Sequence, residues 1–275
     1  MNITAAHFMS PDKIADAYAR DGFVLPIDVL SEEKAQALRG DVERAEAKLA
    51  NDPDRLALLR TYPDRLLPSF DALIRHPKII DAISSVLGPD LLVYSGALFI
   101  KPAKSDKIVS WHQDLTYWGL DDAEEVTCWV ALSPANRESG CMKFVPGSHK
   151  QRIVEHVDTY ADDNLLSRGQ EIAVDVDEAD AVLCELKPGQ ASMHHGHLFH
   201  ASGPNTSNDR RIGVAIRYIR PSMKQESGDR PLVAIASGVD RYKNFDIAAT
   251  PRGSLLEQDF AICRREAELR KKLFL

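Results

Sequence analysis

From residue 90 onward the chain is cut into short apolar runs by Gly, Pro, Asn and Asp, and this rhythm narrows the fold more than any other feature. Runs that read as strands fall at 91–100, 108–113, 125–132, 141–146, 181–186, 190–201 and 211–219. Strands this short, with turn residues between them, belong to sandwiches and barrels. The first 89 residues have a different grain. Pro11, with Ser10 as cap, opens a helix over 11–21 that Gly22 ends, and 23–29 reads as a strand. Ser31 caps a helix to about Ala50, with Glu32 and Glu33 placed where the helix dipole favours anions. Pro77 to Leu87 is a further helix, closed by Gly88. Between these, 51–68 carries Pro53, Pro63 and Pro68 and is expected to be a solvated connector, although Arg60 and Tyr62 could line a pocket. The segment 221–253 is expected to be irregular, and Ser254 with Glu257 forms a capping-box sequence for a helix to about Lys272. One domain over 1–275 is expected, with helical support over 1–89, a β core over 90–220, and a C-terminal segment and helix over 221–275.

The chemistry begins at His112-Gln113-Asp114, set among Trp111, Tyr117 and Trp118. On a strand, His112 and Asp114 would point to one face. Imidazole with carboxylate suits a borderline divalent transition metal. A third ligand must come from elsewhere, and His194, His195, His197 and His200 are all candidates by spacing. His200 lies 86 positions beyond Asp114. The two can meet only if the sheet closes on itself, as barrels and jelly rolls do. After a turn at Gly203-Pro204-Asn205, the next strand opens with Arg210-Arg211, and a hairpin would set Arg211 across from the His200 end. An arginine on an inward face needs a carboxylate partner. A small bound dicarboxylate would supply one through a bidentate pair. In the plainer alternative, both arginines lie in solvent at the turn.

His112-Gln113-Asp114, followed by His200, Ser202, Asn205 and Arg211, resembles the phytanoyl-CoA dioxygenase-like family of iron(II)/2-oxoglutarate oxygenases. The segment Gly140-Cys141-Met142-Lys143-Phe144-Val145-Pro146-Gly147-Ser148-His149 resembles that family's Gly-…-Pro-Gly-Ser-His stretch. The resemblance covers about residues 90–220 closely and the helical part in general style. It implies a mainly β, double-stranded β-helix (jelly roll) with flanking helices. It also implies iron(II) on His112, Asp114 and His200, and Arg211, eleven residues after His200, on the distal carboxylate of 2-oxoglutarate. By the same resemblance Gln113, Trp129 and Ser202 are co-substrate neighbours, Thr127 is a weaker candidate, and His149 is structural. Dioxygen is the other co-substrate, succinate and carbon dioxide leave, and an aliphatic carbon of a small molecule is hydroxylated. Tyr117 and Trp118 could wall the substrate pocket or pack into the core. Halogenases on this scaffold replace the carboxylate with Ala or Gly, so Asp114 favours hydroxylation. Desaturation, epimerisation and ring formation use the same triad. A non-catalytic metal-binding jelly roll and a zinc hydrolase are the other classes, and neither has a use for Arg211.

A net charge of -7 argues against nucleic acid and anionic membranes as partners. No apolar run is long enough to span a bilayer. Four cysteines without a C-x-x-C pair are expected to be buried free thiols, which suits a reducing cytoplasm. The first residues lack the basic and apolar regions of a secretory leader, and Lys272-Leu273-Phe274-Leu275 is not a peroxisomal address. A small polar metabolite is therefore the expected partner rather than a fatty acyl-CoA. Nothing in the sequence sets an oligomeric state.

Overall fold

In a computed structural model, described over residues 10–161, 163–166 and 170–273, the N-terminal part is helical. Its elements are α1 (Pro11–Asp21), α2 (Glu32–Lys48), α3 (Pro53–Thr61), α4 (Pro63–Leu66), α5 (Pro68–Leu73) and α6 (Pro77–Leu87), and α7 (Glu257–Leu273) closes the chain. Ser31 caps α2 by accepting from the Lys34 amide. Gly22 ends α1 in the left-handed conformation. Helix α7 starts at Glu257, after Leu255 with φ 58°, so Ser254 stands ahead of the position from which it would cap.

The segment 51–68 is not a connector. Its prolines begin three helices instead of breaking one, because the first helical position needs no N–H. Leu58, Leu59, Tyr62, Leu66 and Leu67 are buried in the main core. Tyr62 is thus a core residue, and Arg60 lies out at Glu46, 3.6 Å away.

The strands are β1 (Phe23–Asp28), β2 (Leu91–Lys101), β3 (Val109–His112), β4 (Glu125–Ala131), β5 (Met142–Phe144), β6 (His156–Asp158), β7 (Gln170–Ile172), β8 (Val182–Cys184), β9 (Gln190–His194), β10 (His200–Ser202), β11 (Arg211–Ile219), β12 (Leu232–Ser237) and β13 (Asp246–Ile247). They form a seven-stranded sheet, β1-β9-β4-β11-β2-β12-β13, and a four-stranded sheet, β3-β10-β5-β8, with β6 and β7 as a separate pair. The two larger sheets make the jelly roll. Residues 232–237, expected to be irregular, add an antiparallel strand beside β2.

Alternation along the strands of the large sheet decides what faces what. Ile212, Val214, Ile216 and Tyr218 of β11, with Val126, Cys128 and Val130 of β4, pack under the helices in one apolar core. The intervening residues, Arg211, Ala215 and Arg217 with Thr127 and Trp129, line a pocket that the small sheet covers. Gly213 lies on that same face because the Trp129 ring occupies the space a Cβ would need. All four cysteines are free and buried. No helix among the described residues is long and apolar enough to cross a membrane.

Candidate active site

His112 ends β3 and His200 begins β10, and the two residues are direct cross-strand partners with ring centroids 4.0 Å apart. Asp114 is not on the strand. It opens a short 3-10 turn, Asp114–Tyr117, so a turn rather than strand alternation brings its carboxylate back to His112. Asp114 Oδ1 lies 3.3 Å from His112 Nε2 and 3.8 Å from His200 Nε2. One donor atom from each residue falls within 4.8 Å of the others.

Both imidazoles are oriented by main-chain carbonyls. His112 Nδ1 meets Ser110 O at 2.9 Å, and His200 Nδ1 meets Leu198 O at 2.9 Å. A carbonyl only accepts, so each Nδ1 carries a proton, and Nε2 is the atom each ring turns to the shared space. Burial pushes the Asp114 carboxyl up, but His112, Arg217 and His200 together hold it well below the usual carboxylate range. Burial, with His112 and His194 beside it, holds His200 well below the usual imidazole value. Two neutral imidazoles and one carboxylate are the protonation states a divalent metal requires. This donor set fits the 2-His-1-carboxylate face of non-haem iron(II), which leaves coordination positions open.

The pocket around the triad is lined from both sheets. Arg211 is 1% exposed. Its Nη1 donates to Gly140 O at 3.0 Å and its guanidinium sits 5.3 Å from the Trp129 ring. Its Nε has no partner. Gly140 is tied to this place, with φ 70° and the Gly203 and Pro204 carbonyls where a Cβ would go. The expected hairpin is absent: β10 pairs with β3 and β5, while Arg211 on β11 pairs with Lys101 of β2. The turn after Ser202 carries the chain between sheets, and Arg211 reaches the pocket from the opposite wall. Arg210 points away and is held by Glu46 at 2.7 Å.

Ser202 lines the pocket and accepts from the fully buried Lys101 ammonium at 2.7 Å. That ammonium also reaches the Ser202 and Gly203 carbonyls. Gln113 does not reach the pocket. Its amide donates to His197 O at 2.8 Å and Arg152 O at 3.3 Å and accepts from the Val154 amide at 2.9 Å, which ties the 152–154 segment beneath β3. Trp118 packs with Tyr94 and Phe245 in an apolar cluster. The side chain of Tyr117 lies outside the described residues. His149 sits at α1, against Ala19 O.

Lys101, behind the pocket wall, and Arg217, on it, escape a sequence reading, and His194 proves to be a lining residue outside the ligand set. Lys101 and Arg217 look like ordinary strand-edge cations. The signal for Arg217 was its even spacing from Arg211, which sets both on one face of a strand. His194 lines the pocket, 4.7 Å from the His200 ring, and both its ring nitrogens lack partners. It is not in the ligand cluster.

The family model for phytanoyl-CoA dioxygenase (PhyH) matches residues 18–213. A solved structure described as a non-heme monooxygenase, ThoJ in its apo form, superimposes with a TM-score of 0.86 at 32% identity, covering 95% of this chain and 97% of that one. Ectoine dioxygenase of Bordetella parapertussis is 30% identical over 161 residues, 54% of this chain and 52% of that protein. Peroxisomal phytanoyl-CoA dioxygenase of Bos taurus is 25% identical over 226 residues, 73% of this chain and 66% of that protein. The match thus spans about half the length of the first of these two relatives and about two thirds of the second.

Proposed function

Because the chain belongs to the phytanoyl-CoA dioxygenase family, we propose that it is a non-haem iron(II)- and 2-oxoglutarate-dependent dioxygenase. It hydroxylates an aliphatic carbon of a small-molecule metabolite and releases succinate and carbon dioxide. One observation carries this reading: the His112–Asp114–His200 cluster shares its pocket with a buried arginine whose Nε has no partner. A buried guanidinium without a carboxylate is costly, and a dicarboxylate co-substrate removes that cost. Relatives named ectoine dioxygenase and phytanoyl-CoA dioxygenase support the reaction class.

Iron with 2-oxoglutarate and dioxygen supplies the oxidising power when bound. The chain's residues position and enclose. His112 and His200 present oriented lone pairs, and Asp114 supplies the anion. Arg211, stacked on Trp129, pairs with the distal carboxylate through its planar fork. Lys101 holds Ser202 against the pocket wall. Phe99, Val109, Met142 and Ala215 make the walls apolar and exclude water. The helices share one core with the large sheet, which supports residues 1–275 acting as one catalytic domain. The free thiols and acidic surface support a metabolite substrate in the cytoplasm.

The test is anaerobic addition of iron(II) and 2-oxoglutarate. A visible metal-to-ligand charge-transfer band is expected, and succinate on admission of oxygen. Failure of both would overturn the assignment.

A further inference from the structure

Arg211 and Arg217 sit on one face of β11 at its opposite parts, with only Gly213 and Ala215 between them on that face. Six residues of extended strand separate their Cα atoms by roughly 20 Å. Both guanidiniums line the pocket, where Asp114 is the one carboxylate among the described lining residues. Arg217 is held in place without being satisfied. Its Cζ lies 5.3 Å from the Trp118 ring and 5.7 Å from the Phe99 ring. Its Nε is 3.8 Å from Asp114 Oδ2, an ion pair beyond hydrogen-bond distance, and makes no hydrogen bond. Neither η nitrogen donates a hydrogen bond to a described side chain or carbonyl. Its side chain keeps 12% of its surface.

Charge counting points the same way. A 2-oxoglutarate dianion balances a divalent metal. Asp114 then offsets one of the two guanidiniums, and the other remains. Two flat rings beside a guanidinium fix its plane, and a fixed fork selects planar or tetrahedral oxyanions.

We propose that Arg217 binds an anionic group of the primary substrate, so that this site takes a small carboxylate or phosphonate and oxidises a carbon close to that group. The inference rests on the oxygenase reading above. It names what enters beside the co-substrate: a C–H bond near the oxyanion becomes C–OH with one atom of dioxygen. The other oxygen atom enters succinate as 2-oxoglutarate loses carbon dioxide. Closeness follows from geometry, since Arg217 Nε is 3.8 Å from an oxygen of a metal-ligand carboxylate.

The test uses the full chain loaded with manganese(II) and 2-oxoglutarate, with propionate, methylphosphonate and propionamide as probes. Paramagnetic broadening of their methyl proton signals reports approach to the metal. Propionate or methylphosphonate should be broadened and propionamide should not, and the stronger of the two names the oxyanion. Arg217→Gln should lose the effect at least tenfold in probe affinity, with manganese and 2-oxoglutarate binding unchanged. Arg217→Lys should retain part of it. Equal broadening of propionamide, or of propionate in Arg217→Gln, would overturn the proposal. Loss of manganese from Arg217→Gln would make Arg217 a prop for Asp114, and a raised 2-oxoglutarate requirement would make it a co-substrate residue. Either result also overturns it. Failure of 2-oxoglutarate to bind the wild-type chain would instead sink the oxygenase reading.

Discussion

Arg210 and Arg211 are adjacent in sequence and opposite in fate. Arg210 is bound to Glu46 near the surface, while Arg211 is buried in the pocket with an unpartnered Nε. Arg211→Met should therefore raise the 2-oxoglutarate requirement on the order of a hundredfold or more, the cost of breaking a buried charge pair. Iron binding should persist, read by stoichiometric titration. Arg211→Lys should do intermediate damage, since the charge survives and the fork does not. Arg210→Met should leave 2-oxoglutarate binding alone and cost at most about 1 kcal/mol, as partly exposed pairs do. Replacing Asp114 with Gly should abolish hydroxylation, measured as product formed at saturating iron. Full activity in that variant would remove Asp114 from the ligand set. That His112, Asp114, His200 and Arg211 come together in one pocket was legible through the family motif and not through spacing, which left the histidine open and Arg211 at a turn. Arg217 and Lys101 were not legible, because a lone cation in a strand reads as exposed until its facing neighbours are known.

At the level of elements, the helices and long strands follow from caps, prolines and alternation, and the departures have local causes. The stretch 190–201 reads as one strand yet is two, β9 and β10, because the chain leaves one sheet after His194 and enters the other at His200. Apolar periodicity does not register a change of sheet. In 51–68 three prolines suggest a connector, although proline opens a helix as readily as it ends one. Helix α7 offers a test of element-level packing. Arg270, 6% exposed, donates to Glu266 at 2.6 Å and to Tyr94 O at 2.8 Å. Glu266 in turn accepts from the Leu232 amide at 3.1 Å, which ties α7 to β2 and β12. Arg270→Ala leaves a buried carboxylate unpaired, so about 3–5 kcal/mol of stability should be lost in urea unfolding. The pocket lies elsewhere, so the 2-oxoglutarate affinity of the folded variant should hold.

For the molecule as a whole, acid stability should reflect a neutral, half-buried histidine outside the ligand cluster. His195 Nδ1 accepts from the His197 amide at 2.9 Å, which a protonated ring cannot do. Burial first, then the neighbouring His197, His149 and His194, lowers its pKa to about 3 from 6.5. Between those values the unfolded chain takes up a proton that the native ring refuses. Stability from this group is whole above about 6.5 and falls as pH drops toward 3. His195→Gln should flatten the pH dependence of the urea midpoint by about one proton over that window. An unchanged slope would locate acid sensitivity elsewhere. A second consequence concerns the division of labour between sheets. His112 and His200 belong to the small sheet, Asp114 follows directly on it, and Arg211, Trp129 and Arg217 all stand on the large one. A molecule that grips iron at one end and Arg211 at the other acts as a rivet through two plates. Its binding energy adds to the cohesion of the sandwich. Backbone amides of β3, β5 and β10 should then exchange with deuterium more slowly once metal and co-substrate are both present, and by less with either alone.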